Sequence, residues 1–385
     1  MSLYPLILLL FFVLHTQCGL SAVLIISISL VFIWTQLLCG FPESGLLSTL
    51  VFILWLLAVT FFLTSSLLVL YLRFEISLIP LVFLVMVFGY QPEKLSASIF
   101  LLTYTVLGGL PFLYFVCSHT CCSVLVLTNL SGLSVYLVSL AFFIKSPIYY
   151  FHAWLPKAHT EAPLSGSMLL AGVILKFGGY GILLLAPSFS SQITFYFYIT
   201  LTGSVLCSII CLRQWDCKSL VAFSSIVHIG VVSLGALLST ELGWWVSVGM
   251  LLRHRCVSPL LFSVCYELYV STHSRALACN YTRSTSPSMS LIIALLLSVN
   301  IGTPPFLRFW LEVNLYFSLA ENFMFGFFPL LSCSFLVLCY CLYFYLSVFS
   351  STKSPVRSEV CVFARYFPGL AFSLLTVPAS SLFAF

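Results

Sequence analysis

Apolar runs of about twenty residues follow one another along nearly the whole chain, and this repetition limits what the chain can become. As a helix, such a run is about 30 Å long, the thickness of a bilayer's hydrocarbon core. Only 6% of the 385 residues are charged, where an ordinary soluble domain carries about 25%. So few charges cannot cover a globule of this size. A soluble enzyme, a secreted disulfide scaffold, a disordered chain and a simple nucleic-acid binder are thereby excluded. The fold class that remains is an all-α polytopic membrane protein.

Counting runs predicts about thirteen transmembrane helices, centred near Leu10, Ile28, Leu54, Ile76, Thr105, Val138, Leu175, Ile199, Ile229, Leu251, Asn300, Val337 and Leu374. The first run, Ser2 to Leu14, lacks the basic start of a signal peptide and reads as a true span. Leu46 to Phe88 is too long for one span and divides near Ser65–Ser66. Thr285 to Leu319 is interrupted by Gly302-Thr303-Pro304-Pro305 and reads as one discontinuous helix, since proline removes backbone donors. Pro147 marks a second interruption.

Loop charges test the count. With the loops numbered in order, Lys94, Lys157, Arg213, Lys218, Arg275, Arg283, Lys353, Arg357 and Arg365 all fall in or beside even loops. Odd loops carry the acids Glu241 and Glu321 and no Lys or Arg. Positive charge marks the side on which a membrane chain is made. The expected N-terminus is therefore inside and the C-terminus outside.

Other ionisable residues lie within spans: Arg73, Glu75, Lys145, Lys176, His228, Arg253, His254, Arg255, Arg308 and Glu312. A charge at the bilayer centre costs at least ~2.5 kcal/mol, so each needs a partner, water or a purpose. If the fourth span begins near Thr64, Glu75 lies about 17 Å deep. Lys176 and Lys145 fall near the middle of their spans by the same measure. Any one of them reads as snorkelling or a structural ion pair. Four ionisable groups at matched depth, Glu312 included, read better as a hydrated polar path. Ser224 and His228 share a helical face and suit a proton relay, because imidazole both donates and accepts. His254, between two arginines, fits either a solvated helix end or a site. Arg73 lies about 200° around the helix from Glu75 and should pair elsewhere. The fifteen cysteines show no zinc spacing, and Cys117-Ser-His119-Thr-Cys121-Cys122 reads as thiols and a histidine in a short loop.

The run KSPIYYFHAWLPKAHTEAPLSGSMLLAGVILKFGGYG, Lys145 to Gly181, resembles the antiporter-like subunits of respiratory complex I. FEISLIP (Phe74–Pro80) with GYQPEKL (Gly89–Leu95), LRQWDCKSLVAFSSIVHIG (Leu212–Gly230), STHSR (Ser271–Arg275) and GTPP followed by Glu312 are similar to further blocks of that family, in order. The resemblance implies two inverted five-helix repeats, each with a discontinuous helix, here those bearing Lys145 and Glu312. It divides the chain into N-terminal helices (1–63), a first half-channel repeat (64–212), a second (213–325) and C-terminal helices (326–385). It assigns Glu75 and Lys145 as the pair of the first half-channel, Lys176 as the central lysine and Glu312 as the terminal acid. By the resemblance His152 and His228 belong to the hydrated path; from the residues themselves Ser224 and His254 are added as auxiliary candidates. The family usually has one more helix before Glu75, and Arg73, Arg253, Arg255 and Arg308 stand where mostly uncharged residues are expected.

No nicotinamide fingerprint, flavin site, iron–sulfur spacing or nucleophile constellation is present in the sequence. The expected work is moving protons, with no cofactor in this chain. Flavin, iron–sulfur clusters and ubiquinone are implied for the rest of the complex. The resemblance also implies adjacent antiporter-like subunits as partners, within lipid and without nucleic acid. A free-standing sodium or potassium/proton antiporter and a non-conducting scaffold are the alternatives. High Phe and Cys, Asp216 as the single Asp, and no targeting segment point to the mitochondrial inner membrane.

Overall fold

The computed structural model describes residues 45–349, apart from 90, 120–121, 131, 190–193, 278–286 and 305. The expected spans near Leu10, Ile28 and Leu374 lie outside the described residues, as do both chain ends. The other ten expected centres all fall in helices. Eight helices among the described residues are long and apolar enough to cross a membrane. The remaining two centres fall in shorter apolar helices, Leu133–Lys145 and Met289–Ile301, at the breaks expected from Pro147 and Gly302–Pro305.

The helices are α1 (Gly45–Phe62), α2 (Leu67–Ile76), α3 (Leu78–Phe88), α4 (Lys94–Ser118), α5 (Leu133–Lys145), α6 (Trp154–Glu161), α7 (Leu164–Leu169), α8 (Leu175–Leu185), α9 (Thr194–Leu212), α10 (Cys217–Leu237), α11 (Glu241–Thr272), α12 (Pro287–Ile301), α13 (Leu307–Asn322) and α14 (Phe327–Phe349). A π-helical turn, Leu170–Ile174, joins α7 to α8. The span expected around Ile76 has a break that the sequence reading passed over. Pro80 has no N–H for the Ile76 carbonyl, so α2 ends at Ile76 and Ser77 turns the chain into α3.

Among the described residues, 45–146 and 157–188 form one compact unit, and 147–156 with 189–349 form a second. In the first, α1, α2–α3, α4, interrupted α5 and α7–α8 follow in order. In the second, α9, α10, α11, interrupted α12–α13 and α14 follow. Each unit thus runs through five spans with the fourth broken. Each also ties the start of its second span to the loop after its third: Ser66 bridges Ser123 in the first, and Asp216 bridges Ala276 in the second.

Small residues set how closely the helices approach. In the first unit, a Cβ on Gly108 would strike Ile144, and one on Gly109 would strike the Glu75 carboxylate. The adjacent glycines therefore bring α4 against both α2 and the end of α5. Gly178 and Gly181 do the same for α8, facing Ser146 and Phe142. Phe61 stacks on Phe177 at 4.3 Å between centroids, closing α1 over α8. In the second unit α10 is buried along nearly its whole length. A helix apolar all round belongs inside a bundle. Gly230 admits Ser204 of α9, and Gly235 admits Gly243 and Ser247 of α11.

Candidate functional site

The first cluster forms where α5 stops. Pro147 cannot donate to the Phe143 carbonyl, and Ser146 closes the helix by donating its N–H (2.8 Å) and Oγ (2.6 Å) to Phe142 O. Lys145 is therefore the last helical residue rather than the middle of a continuous span. Its side chain is buried and crosses to α2, where Nζ donates to the Phe74 carbonyl and lies 3.2 Å from the centroid of the Phe74 ring. Such cation–π contact is strongest when desolvated. Phe74 is itself held edge-on by Phe112 and Phe142.

Glu75, the next residue, points to Gly109, and its Oε1 is buried without a hydrogen-bond partner. Glu75 and Lys145 interact electrostatically. They form no direct salt bridge, however, because the ammonium is spent on Phe74. Arg73 turns away, as its helical position requires, and donates to the Thr60 carbonyl of α1.

Lys176, fully buried on α8, follows the π-turn directly. A π-turn widens the helix and recurs at functional sites. Lys176 Nζ donates to Ala171 O inside that turn at 2.9 Å. The sequence carried no signal for the π-turn. Gly108–Gly109, in contrast, was a visible sign of close approach that the reading did not use.

His152 lies in the second unit, on the break after Pro147. Its ring stacks on Tyr149 at 5.1 Å, and Nδ1 is buried without a partner. Tyr150 beside it has φ +75°, a strained value for an aromatic residue. On α10, Ser224 and Ser225 both donate their hydroxyls to Val221 O, at 2.8 and 3.2 Å. They retain lone pairs but not protons for a water chain.

The second cluster gathers around the end of α12. Arg253, His254 and Arg255 lie in the middle of α11 and are all buried, so the solvated-helix-end reading of His254 falls. The His254 ring lies 5.7 Å from that of His228, whose Nε2 is buried without a partner. Arg253 Nη2 donates to Val299 O at 2.8 Å and to Asn300 Oδ1 at 3.0 Å. Arg308 Nη1 donates to Asn300 O, and its Nε pairs with Glu312 Oε1 at 2.5 Å. The two residues are four apart on α13, so this ion pair closes within one helix. The arginines are placed by elementary helix chemistry. The last carbonyls of α12 lack intrahelical donors and form the negative end of its dipole. Gly302, at φ +85°, then turns the chain away. Sequence reasoning missed Asn300 as the hub, although it sits two residues before Gly302.

The structure thus brings Glu75 and Lys145 together, with Lys176 in the same unit. His228, His254 and Glu312 cluster with two arginines in the other.

Comparison with known proteins bears on these arrangements. Residues 64–337 match the transmembrane family described as NADH:quinone oxidoreductase/Mrp antiporter. NADH-ubiquinone oxidoreductase chain 4 of Lumbricus terrestris is 36% identical over 313 residues, covering 77% of this chain and 69% of its own. The protein of the same name from Artemia franciscana is 36% identical over 344 residues, covering 86% and 87%. A chain of respiratory complex I from Thermus thermophilus with bound NADH shares the fold, with TM-score 0.81 and 20% identity over 93% of this chain and 79% of that one.

Proposed function

Since the chain belongs to the NADH:quinone oxidoreductase/Mrp antiporter family of transmembrane proteins, we propose that it is a proton-translocating subunit in the membrane arm of respiratory NADH:ubiquinone oxidoreductase. It sits in the mitochondrial inner membrane beside other antiporter-like subunits. It serves as part of that enzyme without redox chemistry of its own. Flavin, iron–sulfur clusters and ubiquinone belong to the rest of the complex.

The observation that carries this reading is the end of α5. A half-buried carboxylate with one oxygen shut off from water and a buried ammonium interact there beside Phe74, and a second buried lysine lies on the helix packed against α5. A carboxylate near an ammonium favours the charged forms of both, and separation favours the neutral forms. A change in the Glu75–Lys145 distance therefore moves a proton. Lys145 is poised for such a change because its holds on Phe74, a carbonyl and a ring face, do not consume the carboxylate. Lys176 is the next carrier, followed by His228, His254 and Glu312, with His152 as an auxiliary, while Ser224, whose proton goes to Val221 O, offers only lone pairs. Waters bridge the intervals, since imidazoles and amines exchange protons only over hydrogen-bond distances.

The test is Lys176→Met in the assembled complex, with assembly followed on a native gel. Oxidation and proton uptake in vesicles should both fall while assembly persists. Lys176→Arg should fail as well, because guanidinium stays charged at any working pH. Normal pumping by an assembled Lys176→Met complex would remove Lys176 from the path and favour a scaffold role.

A further inference from the structure

Where the broken helix of the second unit ends, four oxygen atoms are gathered by two arginines. Val299 O, Asn300 O, Asn300 Oδ1 and Glu312 Oε1 are all acceptors, the first three at the end of α12 and the last near the start of α13. Unwound carbonyls and half-helix C-termini are the groups with which broken membrane helices coordinate alkali cations. Carbonyl oxygens replace the hydration shell of such ions. One carboxylate, two carbonyls and an amide oxygen form a donor set of that kind.

In this chain a guanidinium meets every member of the set. Arg253 reaches in from α11 and takes Val299 O and Asn300 Oδ1. Arg308 reaches back from α13 and takes Asn300 O and Glu312 Oε1. Both arginines are buried, at 4% and 1% exposure, so neither reaches water as a surface arginine does. Their positive charge is answered by the helix dipole and by Glu312. A guanidinium is charged at every working pH, and its planar fork serves two oxygens at once. Because it is tethered, no concentration of free cation dilutes it away.

We infer that Arg253 and Arg308 are built-in cations that fill an alkali-cation site at this break, so that the second unit admits protons and excludes sodium and potassium. The inference deepens the proton-path reading and rests on the path passing this break. His228 and His254, packed beside Arg253 and Asn300, remain as the groups that can take and give a proton there.

The experiment measures retention of radioactive sodium by the purified complex, without any pumping. The native complex should retain no sodium above a detergent-matched blank. Arg308→Gln should retain several-fold more, saturably and in competition with potassium, and Glu312→Gln added to it should abolish the gain. Arg308→Lys keeps the charge but cannot serve both oxygens, so it should fall between native and Arg308→Gln. It also provides the decisive variant where Arg308→Gln does not assemble. Sodium retention by the native complex that Glu312→Gln removes would overturn the inference. So would an assembled Arg308 variant that retains no more than native. Proton uptake by Glu312→Gln is measured separately. Normal uptake there would end the reading of the path, while the order of sodium retention would still judge the arginines.

Discussion

The ends of α5 and α12 have the same architecture and opposite chemistry. Both close a half-helix in the fourth span of their unit, and in both a basic side chain binds a backbone carbonyl. At α5 the base is lysine, whose ammonium is divided between a carbonyl and an aromatic face. The neighbouring carboxylate, Glu75, keeps an oxygen without a hydrogen-bond partner. At α12 the bases are arginines, and the carboxylate, Glu312, is held by one of them at 2.5 Å. Lysine can give up its proton when buried, whereas arginine does not. The comparison teaches that a half-helix end at depth can lend a base, as α5 lends Lys145 to the Phe74 carbonyl of α2, or be met by bases, as at α12, and that the kind of base decides whether charge is exchanged or fixed.

The sharpest break in the comparison comes from Glu75→Gln, which keeps the volume beside Gly109 and removes the exchangeable charge. Proton uptake by the assembled complex should fall roughly tenfold or more, equivalent to about 1.4 kcal/mol or more on the barrier. Vesicle proton uptake normalised to assembled complex checks this. An intermediate effect is expected for Gly109→Ala, whose new Cβ would meet Glu75 Oε1. Overpacking of this kind costs about 1–3 kcal/mol. The variant should lower the thermal midpoint of the complex and reduce uptake less than Glu75→Gln does. The smallest effect belongs to Ser224→Ala, because that hydroxyl donates to its own helix at Val221 O. His228→Ala should reduce uptake clearly more than Ser224→Ala, and equal losses would show that the serine carries protons after all.

Much of this was legible before any coordinates. Apolar run length located ten spans within the described residues, because hydrophobic thickness constrains sequence directly. Pro147 and the Gly302–Pro305 run announced both breaks, since proline forbids the bond a helix needs. Pro80 announced a third at Ser77 and was passed over, because an apolar run of normal length hides a short turn. The charged residues were also visible, but their partners were not. Phe74 O, Val299 O and Asn300 O are backbone atoms that every residue possesses, and no side-chain pattern marks which of them will be bound. For the same reason Arg253, His254 and Arg255 stayed ambiguous until burial in the middle of α11 showed them to be interior.

The contrast between exchanged and fixed charge comes down to one reciprocal substitution, measured as proton uptake in sodium-free vesicles by assembled complexes. Lys145→Arg leaves a cation at the end of α5 that cannot release its proton, and uptake should be lost. Arg308→Lys leaves a cation beside Glu312, where charge alone is needed, and uptake should be largely kept. Loss with Arg308→Lys and retention with Lys145→Arg would contradict the assignment of exchange to α5 and fixed charge to α12.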